Sequence, residues 1–213
     1  MTSVVEVQVL FAAPKTNCVK VSPAAPPLRY AKSSLAHHTL LIYLCEQSMS
    51  RKIGIFSGSF DPVHAGHIAF AQEAMRVCKL DELVFMPERF PRGKPNVSPI
   101  SERITELEIA LAETPFTVLD AQADQFTVDE TLTELEVLYP NVKFTFLIGS
   151  DIALNLPKWE NIERLSSRYE FAIGIRNSDA TAIISETMQR LDIARYTLIT
   201  TPHAHLSSSS IRA

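Results

Sequence analysis

A short stretch at residues 54–67, with the sequence GIFSGSFDPVHAGH, combines glycine, aspartate-proline and two histidines. Apolar residues open it, so we expect a buried strand that passes through a turn into a helix. Gly58 leaves room for a polyphosphate to approach the backbone, whose amides can donate to it. His64 and His67 are three residues apart at the predicted helix start, so both imidazoles can face one anion. The stretch therefore predicts a phosphate-binding site that can stabilise the negative charge on a transferring phosphate.

A structural reading of the same residues remains open, in which His64 caps the helix and His67 packs in the core. The joint occurrence of strand, glycine, Asp-Pro and paired histidines in one window favours function over this alternative.

Polar or aromatic side chains also follow two other predicted strands. Gly149 and Asp151 follow one of them, and a carboxylate there can accept hydrogen bonds from ribose hydroxyls. Trp159, the only tryptophan, can stack on a pyridine ring or simply pack in the core. Arg92 and Lys94 follow the other strand, where they either hold phosphate oxygens or form an ordinary solvated basic loop.

A serine run at residues 207–210 lies near the end of the chain and is followed by Arg212. Ser209, Ser210 and Arg212 offer hydroxyls and a guanidinium fork to an anion, which suits a triphosphate tail. Serine-rich chain ends are more commonly disordered, so the run gains its meaning from the first motif.

The bulk properties exclude several classes of protein. The chain has 213 residues, of which 46% are hydrophobic and 21% charged, as in one soluble globular domain. A net charge of -4 argues against nucleic acid as a partner. No apolar run is long enough to span a membrane. Three cysteines without paired spacing fit a reducing compartment, so we expect a cytoplasmic protein.

Short apolar runs alternate with amphipathic stretches from Lys52 onward. The predicted strands are residues 52–56, 82–86, 117–119, 143–148, 169–175 and 197–200. The predicted helices are residues 66–77, 99–112, 128–138, 161–165 and 180–191. Thr127 with Glu130 forms a capping box, and Pro99 after Ser98 suits a helix start. The alternation predicts an α/β fold with a parallel sheet covered on both faces.

The first 48 residues differ from the rest in their lack of a persistent helical or strand period. An upstream start before a natural first residue at Met49, a targeting leader and a genuine extension all remain open. A transit peptide is rich in arginine, whereas this segment has only Arg29, so we favour a dispensable or misassigned, poorly structured extension. The predicted division is residues 1–48 and a single domain at residues 49–213.

The stretch at residues 54–67 resembles the signature of the nucleotidyltransferase superfamily, with its glycine, Phe-Asp-Pro and His-x-Gly-His elements. The sequence LSSSSIR at residues 206–212 resembles the Ile-Ser-Ser-Thr-x-Ile-Arg element. Within the superfamily, residues 51–212 are most similar to nicotinate or nicotinamide mononucleotide adenylyltransferases. The resemblance implies a Rossmann-like, doubly wound α/β domain that binds ATP and a pyridine mononucleotide.

The resemblance also implies roles for individual residues, and to these we add Arg92 from its chemistry alone. The residues expected to support catalysis are His64, His67, Lys94 and Arg212. Those expected at ATP are Gly58, Ser59, Phe60, His64, His67, Gly149, Asp151, Ser209, Ser210 and Arg212. Those expected at the mononucleotide are Arg92, Lys94, Thr127, Trp159 and Arg176.

The sequence departs from the family pattern at several points. Ser57 replaces the first glycine of Gly-Gly-Thr, and Gln125 with Phe126 replaces Ser-Tyr ahead of Thr127. The second departure leaves open whether the ring carries a carboxylate or an amide. The chain also ends at Ala213, where many relatives continue, and both a naturally short chain and a shortened one fit this ending.

We expect transfer of an adenylyl group from ATP to nicotinate mononucleotide, which gives deamido-NAD and pyrophosphate. Mg²⁺ would bridge phosphate oxygens, with no protein ligand assigned to it. The alternatives are adenylyl or cytidylyl transfer to nicotinamide mononucleotide, phosphopantetheine or glycerol phosphate, and a nucleotide-binding module without catalysis. A homo-oligomer is left open.

Overall fold

The computed structural model describes residues 7–8, 51–175 and 180–200. The strands are β1 Val7–Gln8, β2 Lys52–Gly58, β3 Glu82–Pro87, β4 Thr117–Val118, β5 Lys143–Gly149, β6 Glu170–Ile175 and β7 Tyr196–Thr200. The helices are α1 Ala65–Cys78, α2 Ile100–Leu111, α3 Val128–Leu138, α4 Ser150–Asn155, α5 Ile162–Ser166 and α6 Ala180–Arg190. A short 3₁₀ helix, Leu156–Lys158, follows α4.

The strands form one sheet with the order β1-β7-β6-β5-β2-β3-β4. Strands β2 to β7 pair in parallel, and β1 pairs antiparallel with β7 at one edge. The chain runs from β2 outward to β3 and β4 and then returns to β5 on the other side of β2. This reversal is a topological switch point, where α/β proteins bind ligands at the carboxyl ends of the strands.

Side chains of each strand alternate between the two faces of the sheet, because successive residues of a strand point to opposite sides. In β2, Ile55 packs in one core cluster and Phe56 packs in the other. Leu132 of α3 belongs to the first cluster, whereas Phe70 of α1 and Leu107 of α2 belong to the second. Helices therefore cover both faces, and the predicted Rossmann-like, doubly wound parallel sheet is confirmed.

The predicted strands and helices all form, with ends that shift by one or two residues. Helix α4 and the 3₁₀ turn after it were not predicted, because six and three residues are too few for a helical period to be recognised. The pairing of Val7–Gln8 with β7 was not predicted either. The division of the chain at residues 48 and 49 stays a prediction, since residues 9–50 lie outside the described part.

Both predicted helix starts are present, but each differs from the prediction in one detail. The Thr127 hydroxyl accepts a hydrogen bond from the Glu130 amide at 3.2 Å, as a cap does. The Thr127 amide donates to the Thr131 hydroxyl at 3.1 Å, so Thr131 takes the part that the capping box gives to Glu130. Helix α2 begins at Ile100 rather than Pro99. None of the helices in the described residues is long and apolar enough to cross a membrane.

Charged side chains join α3 to α5 and to the start of β6. The Tyr169 hydroxyl donates to Glu136 Oε1 at 2.7 Å, and Arg168 also bonds that carboxylate at 2.7 Å. Arg164 reaches the other Glu136 oxygen at 3.2 Å. Burial, and then the hydrogen bond to Glu136, raise the pKa of Tyr169 to about 12. This network therefore holds α3, which follows Phe126, against α5, which follows Trp159.

Replacement of Tyr169 by Phe is expected to lower the free energy of unfolding by about 1 kcal/mol at neutral pH, because a hydrogen bond to a carboxylate is lost. The folded-state pKa of Tyr169 lies above its usual value, so its contribution is present below about pH 10 and declines as pH rises towards 12. Urea unfolding at several pH values should show a steeper decline in the parent protein than in Tyr169→Phe, in which Tyr139 and Cys78 still have raised pKa values. An identical decline in both proteins would contradict the assignment.

Candidate active site

The turn between β2 and α1 brings the two histidines together. His64 is the N-cap residue of α1, and its backbone amide donates to His67 Nδ1 at 3.3 Å. The two rings stack with their centroids 3.7 Å apart and an angle of 24° between their planes. The paired imidazoles therefore lie at the amino end of α1, as the spacing predicts. His64 also occupies the N-cap position, which the structural reading of the sequence assigned to it.

Aromatic rings fix the orientation of His67. Its centroid lies 5.2 Å from the ring of Phe60 and 5.9 Å from the ring of Phe56, in edge-to-face arrangements. Phe60 is 1% exposed, so its ring is a rigid support. A ring held on two sides in this way loses little freedom when it meets a ligand.

The loop after β3 is bonded to the end of β2 and to the turn after it by three pairs of side chains. Ser57 Oγ donates to Glu88 Oε1 at 2.9 Å, and Lys94 Nζ donates to Ser59 Oγ at 2.8 Å. The amide and hydroxyl of Ser98 both donate to the carboxylate of Asp61, at 3.2 and 2.9 Å. The Lys94 ammonium is thereby brought to the β2–α1 turn.

Arg103 of α2 lies beneath both segments and is 1% exposed. Its guanidinium donates to four backbone carbonyls, those of Ser59 at 2.7 Å, Ser98 at 2.8 Å, Glu88 at 2.9 Å and Arg89 at 3.2 Å. Burial lowers the pKa of Arg103, and the nearby carboxylates of Asp61 and Glu88 oppose that shift. The side chain joins the β2–α1 turn to the loop after β3 through charge-assisted hydrogen bonds.

The loop after β3 is also bonded to the loop after β4. Arg89 pairs with Asp120 at 2.5 Å, and the Phe90 amide donates to the Asp124 carbonyl at 2.8 Å. Further along, Arg92 Nε donates to Gln125 Oε1 at 3.0 Å. The two loops therefore form one continuous wall.

The opposite wall begins where β5 ends. A Cβ atom at Gly149 would come within 2.5 Å of Asp151 Oδ1, so glycine is required there if the carboxylate is to keep its position. Trp159 follows the 3₁₀ turn, and its ring lies 5.4 Å from that of Phe126 at a tilt of 37°. Phe126 also packs edge-to-face with Phe146 of β5, with the ring centroids 5.7 Å apart.

These walls enclose a cavity of about 430 Å³ at the carboxyl ends of β2 and β5. Volumes of this size are typical of small-molecule sites. Its polar lining includes both histidines, two serines, two cations and two carboxylates. These residues are His64, His67, Ser57, Ser59, Arg92, Lys94, Glu88 and Asp151. Phe126, Phe146 and Trp159 line an aromatic part of the same cavity.

The structure brings ten of the predicted site residues into this one cavity. They are Gly58, Ser59, Phe60, His64, His67, Arg92, Lys94, Gly149, Asp151 and Trp159. Thr127 is not among the lining residues, and its hydroxyl and amide both form hydrogen bonds in the start of α3. Arg176, Ser209, Ser210 and Arg212 lie outside the described residues. Their predicted roles stay predictions.

Sequence reasoning missed Glu88, Phe126 and Arg103. Glu88 follows β3 directly, and this position at the carboxyl end of a strand was a usable signal. Phe126 was noted only as a departure from the family's Ser-Tyr pattern and not as a residue of the site. Arg103 carried no local signal, because its acceptors are main-chain carbonyls from segments as distant as Ser59.

A parallel, doubly wound sheet with paired histidines at the first helix and cations on the adjoining loop defines a nucleotidyltransferase. Residues 55–213 match the model of the cytidylyltransferase-like family. The chain therefore belongs to this family, within the nucleotidyltransferase superfamily.

Similar proteins agree with this class. A probable nicotinate-nucleotide adenylyltransferase of Bacillus mycoides strain KBAB4 is 34% identical over 153 residues, which cover 68% of this chain and 80% of that protein. A Bacillus cereus strain B4264 protein of the same name is 39% identical over 128 residues, 57% of this chain and 67% of its own length.

The fold also matches a solved structure, Plasmodium falciparum nicotinic acid mononucleotide adenylyltransferase complexed with NaAD. The TM-score is 0.65 at 22% identity, over 76% of this chain and 82% of that one. At this identity the match supports the fold alone.

Replacement of Arg103 by Leu is expected to lower the free energy of unfolding by about 3 kcal/mol or more, because four carbonyls lose a buried charged donor. Arg103→Lys keeps the charge and loses the fork, so its loss should be smaller. Arg190→Leu changes an exposed arginine and serves as the control, with an effect within about 0.5 kcal/mol. Urea unfolding measures all three, and equal stability of Arg103→Leu and Arg190→Leu would contradict the role of Arg103.

Proposed function

We propose that this protein is an adenylyltransferase of NAD biosynthesis that joins ATP and nicotinate mononucleotide to give deamido-NAD and pyrophosphate. One observation carries the proposal. The histidine pair and the Trp159–Phe126 ring pair line one cavity, so phosphates and an aromatic ring have complementary surfaces in a single site. The names of the similar Bacillus proteins support the same reaction.

The chemistry is an in-line displacement at phosphorus. A phosphate oxygen of the mononucleotide attacks the α-phosphorus of ATP, the bond from that phosphorus to the bridging oxygen breaks, and pyrophosphate leaves. No covalent intermediate with the protein is needed, so the protein contributes position and charge.

In this proposal each wall has its own task. His64 and His67 contact the ATP phosphates at the amino end of α1, and Lys94 neutralises charge beside Ser59. Ser209, Ser210 and Arg212 bind the β and γ phosphates. Asp151 accepts hydrogen bonds from a ribose of the nucleotide. Further contacts with ATP come from Gly58, Ser59, Phe60 and Gly149. On the mononucleotide side, Trp159 stacks on the pyridine ring, and Arg92 and Arg176 contact the rest of the molecule. Thr127 does not line the cavity, so its part is to hold the start of α3 next to Phe126.

We propose Mg²⁺ as the cofactor that arrives with ATP. Among the described residues, no group of three or more His, Cys, Asp or Glu side chains could hold a metal ion by itself. A site of this kind fits an ion whose ligands would be mainly phosphate oxygens and waters. Asp151 and Glu88 are the carboxylates in the cavity lining that could add to them. When bound, Mg²⁺ withdraws charge from the phosphates.

Other acceptors fit the cavity less well. Phosphopantetheine and glycerol phosphate have no aromatic ring for Trp159 and Phe126 to contact. Nicotinamide mononucleotide has the ring and differs only in its substituent, so it is the acceptor to compare directly. The three cysteines lack the spacing typical of a disulfide set, which supports a cytoplasmic location for the reaction.

Mass spectrometry of the product tests the reaction. The purified chain is incubated with Mg²⁺, either ATP or CTP, and one acceptor from a panel of nicotinate mononucleotide, nicotinamide mononucleotide, phosphopantetheine and glycerol phosphate. We expect deamido-NAD and stoichiometric pyrophosphate from ATP with nicotinate mononucleotide. Absence of this product, with turnover of another acceptor, would replace the proposed substrate by that acceptor.

Replacement of His67 by Ala is expected to reduce kcat by about 100-fold or more, because a donor to the charge that develops on the transferring phosphate is lost. ATP affinity, measured by calorimetry with a non-hydrolysable analogue, should change only a few-fold. Arg190→Ala, at the exposed end of α6, is the control and should keep full turnover. Retention of parent-like kcat by His67→Ala would remove His67 from the catalytic role.

A further inference from the structure

The hydrogen bond from Arg92 to Gln125 lies on the wall that also carries Phe126, one ring of the aromatic pair. Arg92 lines the cavity, and Gln125 immediately precedes Phe126, whose ring packs with Trp159. The loops that carry them are also joined by the Phe90 amide and the Asp124 carbonyl. The guanidinium of this exposed side chain is therefore held by the residue that precedes Phe126, next in sequence to the ring that the proposed function places at the pyridine.

The acceptor that fixes Arg92 is neutral. Within residues 51–175 and 180–200, the Gln125 amide oxygen is the one acceptor bonded to this guanidinium, and it receives the Nε hydrogen at 3.0 Å. The charge of Arg92 is thus oriented without being cancelled, and its two Nη groups keep N–H donors for a ligand. A carboxylate at position 125 would orient the guanidinium equally well and would also neutralise it.

Lys94 is the other cation that lines the cavity, and its hydrogen bond lies at the histidine end. Lys94 Nζ donates to Ser59 Oγ at the β2–α1 turn, next to the histidines that contact phosphate in the proposed function. The two cations are therefore divided, with Lys94 at the phosphate end and Arg92 at the aromatic end. This division assigns Arg92 a task other than the phosphate contact that its sequence position first indicates.

We propose that Arg92, oriented by Gln125, binds the carboxylate on the pyridine ring and so selects the acid form of the mononucleotide over the amide form. This inference rests on the proposed function and identifies a specificity-determining pair in its site. A guanidinium offers a carboxylate two parallel N–H donors. An amide has one acceptor oxygen, and its own N–H groups would face the N–H groups of Arg92.

The ratio of kcat/KM for nicotinate mononucleotide to kcat/KM for nicotinamide mononucleotide tests the inference. Both substrates carry the same ribose and phosphate, so the ratio depends only on the ring substituent. Arg92→Ala should lower kcat/KM for the nicotinate form by about tenfold or more and change that of the nicotinamide form by less than about twofold. Arg190→Ala removes an exposed arginine outside the cavity and should leave the ratio unchanged.

Gln125→Glu is the sharper variant, because it keeps the size of the side chain and adds one negative charge. It should lower the ratio at least as much as Arg92→Ala does, since it both neutralises Arg92 and repels the ring carboxylate. A matched variant, Gln122→Glu on the same loop outside the cavity lining, should have little effect on the ratio.

Three results would overturn the inference. An equal loss for both substrates in Arg92→Ala would show that Arg92 binds the shared phosphate. An unchanged ratio in Arg92→Ala and Gln125→Glu, with both substrates turned over, would contradict this inference alone. Absence of product from both mononucleotides in the parent protein would contradict the proposed function and this inference with it.

Discussion

The geometry of the cavity depends on the hydrogen bonds that the buried Arg103 guanidinium donates. Four carbonyls from the β2–α1 turn and the loop after β3 converge on this one side chain. Irregular backbone inside a protein must find hydrogen-bond donors, and here a single charged group supplies them to four carbonyls. The positions of Ser59 and Glu88 are thereby fixed relative to each other before any ligand arrives.

The pocket follows from the way this anchored turn meets the sheet. The switch point between β2 and β5 leaves a crevice between the described helices, and residues of β2, β5, β6 and β7 line it. The Arg89–Asp120 pair and the Phe90–Asp124 bond then join the loops after β3 and β4 into a wall. Polar groups are concentrated at the β2–α1 turn, and aromatic rings line the region around Trp159.

Much of the fold could be predicted from the sequence because each strand and helix carries its own local period. The alternation in residues 52–56 and the spacing of Leu132 and Leu135 in α3 are properties of a few neighbouring residues. The histidine pair was equally local, since its three-residue spacing guarantees proximity on a helix. Trp159 and Asp151 reached the same cavity because both follow β5.

The remaining features of the site depend on contacts between distant segments, which a single sequence does not encode in any local pattern. Arg103 and Ser59 are 44 residues apart, and Arg92 and Gln125 are 33 apart. The helix-capping role of Thr127 was predicted, whereas the exchange of Glu130 for Thr131 required the side-chain rotamers. Loop residues such as Glu88 acquire meaning only when the register of β2 against β3 is known.

The hydrogen bond from the His64 amide to His67 Nδ1 has a consequence for proton placement. A ring nitrogen that accepts from a backbone N–H cannot itself carry a proton, so the neutral imidazole of His67 must be the Nε2–H tautomer. The first backbone donor of the helix thus chooses the tautomer of a side chain three residues later. In the neutral ring, Nε2 therefore carries the N–H that the proposed function directs at a phosphate oxygen, and no second proton is needed for it.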